Sequence, residues 1–128
     1  MKFKVSVKLN RDALNVLDKA KKIALVKTAE AVKNDIASRK VVPKDTSELE
    51  NSGCVDDSMI DYLVASIVFD TPYARRWYFN TEGAKFQKTK NPNAKDHWMD
   101  YYFDGEGKQW LIDTYCEFFR QESRGLVK

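Results

Sequence analysis

The longest stretch without a helix-breaking residue runs from Arg11 to about Arg39, so the fold must accommodate one long helix. Asn10 is a good N-cap for it, and Leu9 and Leu14 occupy the positions of a hydrophobic staple. At ~1.5 Å per residue this helix is about 43 Å long, more than a domain of this size needs for its own core. We therefore expect part of it to contact a neighbouring subunit. The predicted apolar stripe consists of Ala13, Val16, Leu17, Ala20, Ile23, Ala24 and Ala31.

Two other stretches alternate apolar and polar residues with the period of a β-strand. The first alternates apolar residues with lysines and predicts a strand near a sheet edge, with Phe3, Val5 and Val7 facing the core. The second alternates from Leu63 to Phe69 and is expected to pair, through a hairpin turn near residues 59–61, with a strand that starts at Cys54. These patterns predict an α+β fold, with the long helix packed on a small antiparallel sheet.

Size and composition are those of a single soluble domain spanning residues 1–128. The chain is 43% apolar and 32% charged, and its net charge of +3 is too small to indicate a nucleic-acid binder by itself. No apolar run approaches the ~20 residues of a membrane span, and the N-terminus lacks the apolar core of a signal peptide. We expect the protein to stay in the cytoplasm where it is made, with Cys54 and Cys116 as reduced thiols.

The second strand leads into a junction where aromatic residues alternate with paired arginines. Pro72 favours the first turn of a short helix from Tyr73 to Tyr78. Two interpretations are open. In one, Tyr73 and Trp77 cover the core and the arginines are solvated. In the other, Arg75 and Arg76 form a contact surface, because arginine beside tryptophan and tyrosine is the composition enriched at interfaces.

A loop follows from residue 80 to residue 93, with three lysines, Lys85, Lys88 and Lys90, around Phe86. Such a loop can bind nucleic acid through phosphates and base stacking, or it can become ordered against an acidic protein partner, which we favour. It has little apolar content to offset the entropy of being fixed. We therefore expect it to be mobile in the free protein and ordered on assembly.

Two C-terminal helices are predicted after this loop. The first is short, is capped by Asn93 and is ended by Gly105 and Gly107. The second runs from Gln109 to Gln121, and its broad apolar face indicates either deep burial or an oligomer contact.

Three aspartates, Asp96, Asp100 and Asp104, recur every fourth residue beside His97, a pattern compatible with a divalent cation. Equally spaced carboxylates on one helix are more often a solvated face, and no second set of ligands accompanies them. With a single histidine and no motif that orients a base, no catalytic group is predicted either. We predict a protein that is not an enzyme and has no metal site or cofactor.

Three features in order carry a family resemblance: the long helix, the connector at residues 43–53, and the junction at residues 70–78 with Asn93 and Trp98 downstream. The chain resembles the minor capsid proteins of tailed bacteriophages, of the head–tail connector or tail-completion type. A departure is Ser47, where the family usually has glycine. The matching residues are Pro43, Asp45, Thr46, Leu49, Ser52, Tyr73, Ala74, Arg75, Arg76, Tyr78, Asn93, Ala94 and Trp98.

The resemblance implies a non-enzymatic structural role in a homo-oligomeric ring at the virion neck. The implied partners are copies of the chain and other neck and tail proteins, with no membrane and no specific nucleic acid. The protein would be assembled into virions in the cytoplasm of the host bacterium. The alternative is a small basic nucleic-acid-binding module that uses the arginines and lysines. The predicted contact surface comprises Tyr73, Arg75, Arg76, Trp77, Lys85, Phe86, Lys88 and Lys90.

Overall fold

The computed structural model describes residues 1–43 and 48–127, which form a long N-terminal helix, a two-stranded antiparallel sheet and C-terminal helices. This is the predicted α+β arrangement. The sequence also predicts a short turn capped by Asp45 or Thr46, and these two residues lie outside the described ones. The elements in chain order are α1 (Arg11–Arg39), α2 (Glu48–Asn51), β1 (Gly53–Asp56), a 3-10 turn (Ile60–Tyr62), β2 (Ser66–Phe69), α3 (Ala74–Phe79), a 3-10 turn (Asp100–Phe103) and α4 (Gly105–Glu122).

Helix α1 begins and ends where its caps predict. The Asn10 side chain accepts a hydrogen bond from the Ala13 amide at 3.1 Å, a cap that typically contributes about 1 kcal/mol. Lys40 ends the helix in the left-handed conformation. No residue before Ala20 is buried, and Ile23, which was predicted on the apolar stripe, is 43% exposed. The first turns of α1 therefore extend beyond the core. The buried residues of α1 are Ala20, Ala24, Thr28, Ala29, Val32 and Ile36.

The predicted strand at the start of the chain is wrong. Residues 1–10 form no strand, and the side chains of Phe3, Val5 and Val7 are 79–87% exposed. Alternation shows that a segment is compatible with a half-buried strand, but a strand also needs a neighbour that satisfies its backbone groups. In the part of the chain that the structure describes, the two sheet strands pair with each other and neither pairs with this segment.

The predicted hairpin is confirmed, with a shorter second strand. Gly53 pairs with Phe69 and Asp56 with Ser66, and the Ile60–Tyr62 turn lies in the connection near the predicted position. Ile67 and Phe69 are half-buried as the alternation predicts, and both pack against the core. The prediction for the strand start was too early, because residues up to Leu63 belong to the turn.

The core lies between the C-terminal half of α1, the sheet, α3 and the region around Trp98. Trp98 is 2% exposed, and its ring meets the rings of Phe69 and Tyr78 edge-on, at centroid distances of 5.6 and 4.9 Å. Such edge-to-face pairs contribute about 0.5–1.5 kcal/mol each beyond the area they bury. The buried members of the cluster are Val32, Ile36, Val41, Val42, Leu49, Ala74, Trp98 and Tyr102.

Helix α4 starts earlier than predicted. Gly105 is its first residue, the Asp104 carboxylate accepts a hydrogen bond from the Gly105 amide at 2.8 Å, and Gly107 lies inside the helix. These glycines therefore do not end a preceding helix. Asn93, predicted as that helix's cap, instead donates to the carbonyl of Arg39 at 3.0 Å. Gly107 is needed for a close approach, because a Cβ at this position would lie 2.0 Å from the carbonyl oxygen of Tyr101.

Helix α4 packs along α1, and an ion pair between Lys27 and Glu122 joins the two helices. Its apolar face is half-buried, with Trp110 and Leu111 against the core, while Ile112 is 44% exposed. Both thiols are free; Cys54 is exposed on β1 and Cys116 is half-buried on α4.

Replacing Gly107 with alanine tests the close approach. Helix propensity alone predicts that the substitution stabilises the protein by about 1 kcal/mol. The clash with Tyr101 predicts the opposite sign, a loss of about 1–3 kcal/mol, because the backbone of the preceding turn must move. Urea unfolding of the variant shows whether its free energy of unfolding is higher or lower than that of the wild type. Lys108→Ala, at the next and exposed position of the same helix, is the matched control, and a stabilised Gly107→Ala variant would contradict the structure.

Alkaline pH is expected to destabilise the fold through Tyr102. Burial of its hydroxyl, and then its hydrogen bond to Asp35, raise the pKa of Tyr102 well above its ordinary value. The unfolded chain loses this proton from about pH 10, whereas the folded protein keeps it. The contribution of Tyr102 to stability is therefore constant below about pH 10 and falls as the pH rises above it.

The Tyr102→Phe variant measures this contribution. Its free energy of unfolding should fall less steeply above about pH 10 than that of the wild type, as measured by urea unfolding at several pH values. Tyr62→Phe, at a tyrosine that is 76% exposed, should keep the wild-type slope. Equal slopes in the wild type and Tyr102→Phe would contradict the assignment.

Candidate protein-interaction surface

Helix α3 has one buried residue, Ala74, which belongs to the core cluster, and Trp77 and Tyr78 pack against the same cluster. The Ala74 amide donates to the carbonyl of Thr71 at 3.2 Å, so the helix starts directly after the turn at Pro72. With Ala74 turned inward, the rest of this short helix presents Arg75 and Phe79 to solvent. Of the two residues suggested to cover the core, Trp77 packs against it, whereas Tyr73 is 48% exposed.

An open cleft of about 530 Å³ lies on the exposed side of α3, lined by Pro72, Arg75, Arg76, Phe79 and Thr81. The guanidinium carbon of Arg75 lies 5.9 Å from the ring centroid of Phe79. Its positive charge is therefore held over an apolar surface at cation–π distance. Within residues 1–43 and 48–127, no carboxylate forms an ion pair with Arg75. The cleft offers an uncompensated cation beside an exposed aromatic ring.

Arg76 is in a different environment from its neighbour. One of its terminal nitrogens lies 2.8 Å from a carboxylate oxygen of Glu82, and its guanidinium carbon lies 5.1 Å from the ring centroid of Trp77. Both Arg76 and Glu82 are more than half exposed, so the pair contributes at most about 1 kcal/mol. It does compensate the charge of Arg76 and links α3 to the following loop.

The loop and α3 form one surface because Phe86 packs against Trp77. Their rings meet edge-on with centroids 5.6 Å apart, and both side chains are half-buried. Lys85, Lys88 and Lys90 are exposed on the same loop. The contact with Trp77 therefore places Phe86, the aromatic residue of the predicted loop surface, against the predicted surface on α3.

Two asparagines that sequence reasoning missed anchor the ends of this loop. Asn80 ends α3 in the left-handed conformation, and its side chain exchanges two hydrogen bonds of 2.9 Å with the backbone of Ala84. Asn91 is 3% exposed and donates to the carbonyl of Val42 at 2.8 Å. Asparagine tolerates the left-handed conformation, and its side chain forms hydrogen bonds with backbone groups. This preference is the sequence signal from which the two anchors could have been predicted.

The aspartates considered as metal ligands have structural partners. Asp100 accepts a hydrogen bond from the Tyr78 hydroxyl at 2.5 Å, Asp96 lies 3.4 Å from His97, and Asp104 caps α4. Burial, and then the bond to Asp100, raise the pKa of Tyr78 above its ordinary value, so it remains a donor at neutral pH. Among the residues that the structure describes, no three histidine, cysteine or acidic side chains come together where they could hold a metal ion.

No helix in the described ranges is both long and apolar enough to cross a bilayer. No family model, no curated protein and no solved structure matches the chain.

Mobility of the loop is predicted to differ along its length. In the free protein, the hydrogen-bonded amides of Ala84 and Ala94 should exchange slowly, whereas the amides of the exposed residues Lys88 and Thr89 should exchange fast. If the surface binds a partner on assembly, the amides of Lys88 and Thr89 should become protected there.

Amide hydrogen exchange on the free and the assembled protein measures this difference. A Phe86→Ala variant is a useful comparison, because removing the ring that packs on Trp77 should speed exchange around residue 86 in the free protein. Equal, strong protection of residues 80–93 in both states would show that the loop is ordered by its own domain and does not bind the partner.

Proposed function

We propose that this chain is a structural minor capsid protein of a phage or prophage, a head–tail connector or tail-completion protein that forms part of a ring at the virion neck. The observation that carries the proposal is the cleft on α3, where the uncompensated Arg75 lies over the exposed ring of Phe79. The resemblance in the connector and junction supplies the class of assembly. The proposed role is binding, without a catalytic step and without a cofactor.

The cleft has the chemistry of an anchor for another protein. An arginine positioned over an aromatic ring has lost part of its side-chain freedom before binding, so less entropy is lost when it pairs with a carboxylate. The adjacent exposed rings, those of Tyr73 and Phe79, supply apolar area that a partner can cover. When such a residue is central to an interface, its truncation costs about 2 kcal/mol or more.

The same geometry favours a protein partner over nucleic acid. The charge of Arg76 is compensated by Glu82, which weakens the attraction to phosphates. The Trp77 ring has the Arg76 guanidinium over it and the Phe86 ring at its edge, so it is not an open platform for a base. An acidic segment of another neck or tail protein, or of a second copy, suits the cleft better.

We propose that the protein acts in the virion, after assembly in the cytoplasm of the host bacterium. The proposed partners are copies of itself in a ring and the neck and tail proteins above and below it. Lys85, Lys88 and Lys90 would lie at the rim of the contact, where exposed charges change the association rate more than the affinity.

Replacing both arginines with alanine is expected to weaken incorporation into necks at least about 10-fold while the monomer stays folded, because both side chains are exposed. Arg75→Ala alone should have most of this effect, since Arg76 is paired within the chain. The measurement is the amount of each variant in purified virions after complementation, with circular dichroism as the test of folding. Arg120→Ala, at an exposed arginine on α4, is the matched control. Unchanged incorporation of the double variant would contradict the proposed interface.

A gel shift with duplex DNA at about 0.15 M salt distinguishes the alternative function. We expect weak binding that the double arginine variant barely changes. Tight wild-type binding that the variant loses, with a shallower salt dependence, would identify a nucleic-acid-binding module instead.

A further inference from the structure

The segment that precedes α1 has the pattern of a β-strand and no place in the sheet. Four apolar side chains at alternate positions, Phe3, Val5, Val7 and Leu9, are 70–87% exposed. The positions between them are Lys4, Ser6 and Lys8. If this segment were extended, one side would be entirely apolar and the other polar and positively charged. A segment of this kind is suited to adding onto the edge of a sheet.

The sheet offers an edge with the matching chemistry. Strand β1 pairs with β2 on one side, and no strand in the described residues pairs with its other side. Gly53 and Val55 face inward, whereas Cys54 and Asp56 face solvent. An added strand with its apolar side inward would place Phe3, Val5 and Val7 beside Val55, and its lysines beside Asp56.

Charge selects β1 over the outer edge of β2. Within β2 the solvent-facing residues are Ser66 and Val68, so the nearest carboxylate, that of Asp70, lies beyond the end of the strand. Asp56 lies on the solvent face of β1, and Asp57 follows it directly. Hydrogen bonds from the amide and hydroxyl of Ser58 lower the pKa of Asp56, so the carboxylate is ionised at neutral pH.

We propose that residues 3–9 of one copy add as a third strand to the outer edge of β1 in a second copy. Each copy carries both the donor segment and the acceptor edge, so the complementary partner is another molecule of this chain. Donor and acceptor are different surfaces, so the contact is head-to-tail and repeats from copy to copy. Closure of that series into a ring rests on the proposed function, whereas the strand exchange between copies does not.

The natural Cys54 makes the exchange measurable, because it is exposed on the solvent face of β1. In a Cys116→Ala background, single cysteines are placed at residues 4, 6 and 8, and as matched controls at residues 5 and 7. Mild oxidation should link Cys54 to the even-numbered positions, which share its face, at least about 5-fold more than to the odd ones. The linked products should have the mass of dimers and larger oligomers on non-reducing gels.

A second pair of variants tests the strand without a thiol. Val5→Pro removes an amide donor and cannot join a ladder in the middle of a strand, whereas Val5→Ile keeps both the apolar side chain and the strand preference. Residue 5 is 87% exposed, so neither change affects the folded core. By light scattering over a range of concentrations, Val5→Pro should raise the dissociation constant of self-association at least about 10-fold, and Val5→Ile should leave it within about 2-fold.

Three outcomes would overturn the proposal. Disulfides within single chains would show that the segment pairs with its own sheet. Cross-linking without a period of two would show random collisions of an unpaired segment. A wild-type chain that stays monomeric at all concentrations would show that the edge binds another protein or none.

The same experiments separate this proposal from the proposed function. Alternating cross-links between copies, with no protein found in virions, would support the strand exchange and contradict the role at the virion neck.

Discussion

The packing of Trp98 against Phe69 and Tyr78 is the contact on which the rest of the molecule depends. Phe69 ends β2, Tyr78 lies on α3, and Trp98 follows the long loop, so one buried ring joins β2 and α3 to the segment after the loop. Val32 and Ile36 of α1 complete the same cluster. Because α3 is short, its orientation depends on this packing more than on its own hydrogen bonds. The cleft that presents Arg75 is therefore positioned by a residue that does not line it.

Local patterns predicted the elements whose partners are close in sequence. The cap at Asn10, the extent of α1 and the hairpin depend on propensities and spacings within a few residues, and all three are present. The strand at residues 3–7 failed because pairing is a non-local property that alternation does not specify. Gly107 was misread for a related reason, since its role depends on how closely α4 approaches Tyr101.

The residue types in the sequence predicted the candidate surface. The contacts that give it its geometry depend on tertiary structure, which composition does not specify. Arg75 and Arg76 are adjacent and chemically identical, yet their environments differ. Arg76 forms an ion pair with Glu82, whereas the guanidinium group of Arg75 lies over the ring of Phe79. The contact between Phe86 and Trp77 joins the two halves of the predicted surface, and nothing in their spacing required it. The backbone groups that the anchoring asparagines, Asn80 and Asn91, bond are decided by tertiary structure, so local sequence did not identify these residues as anchors.

The length of α1 separates two kinds of surface. Ala74, which anchors the cleft, packs in one cluster with Val32 and Ile36 near the end of this helix, while the exposed alternating segment precedes its start. At ~1.5 Å per residue, the 29 residues of α1 span about 43 Å. Sites this far apart and without shared neighbours usually contribute additively to free energy. Substitutions in the cleft can therefore change its chemistry without changing the segment before α1, and substitutions in that segment can leave the cleft unchanged.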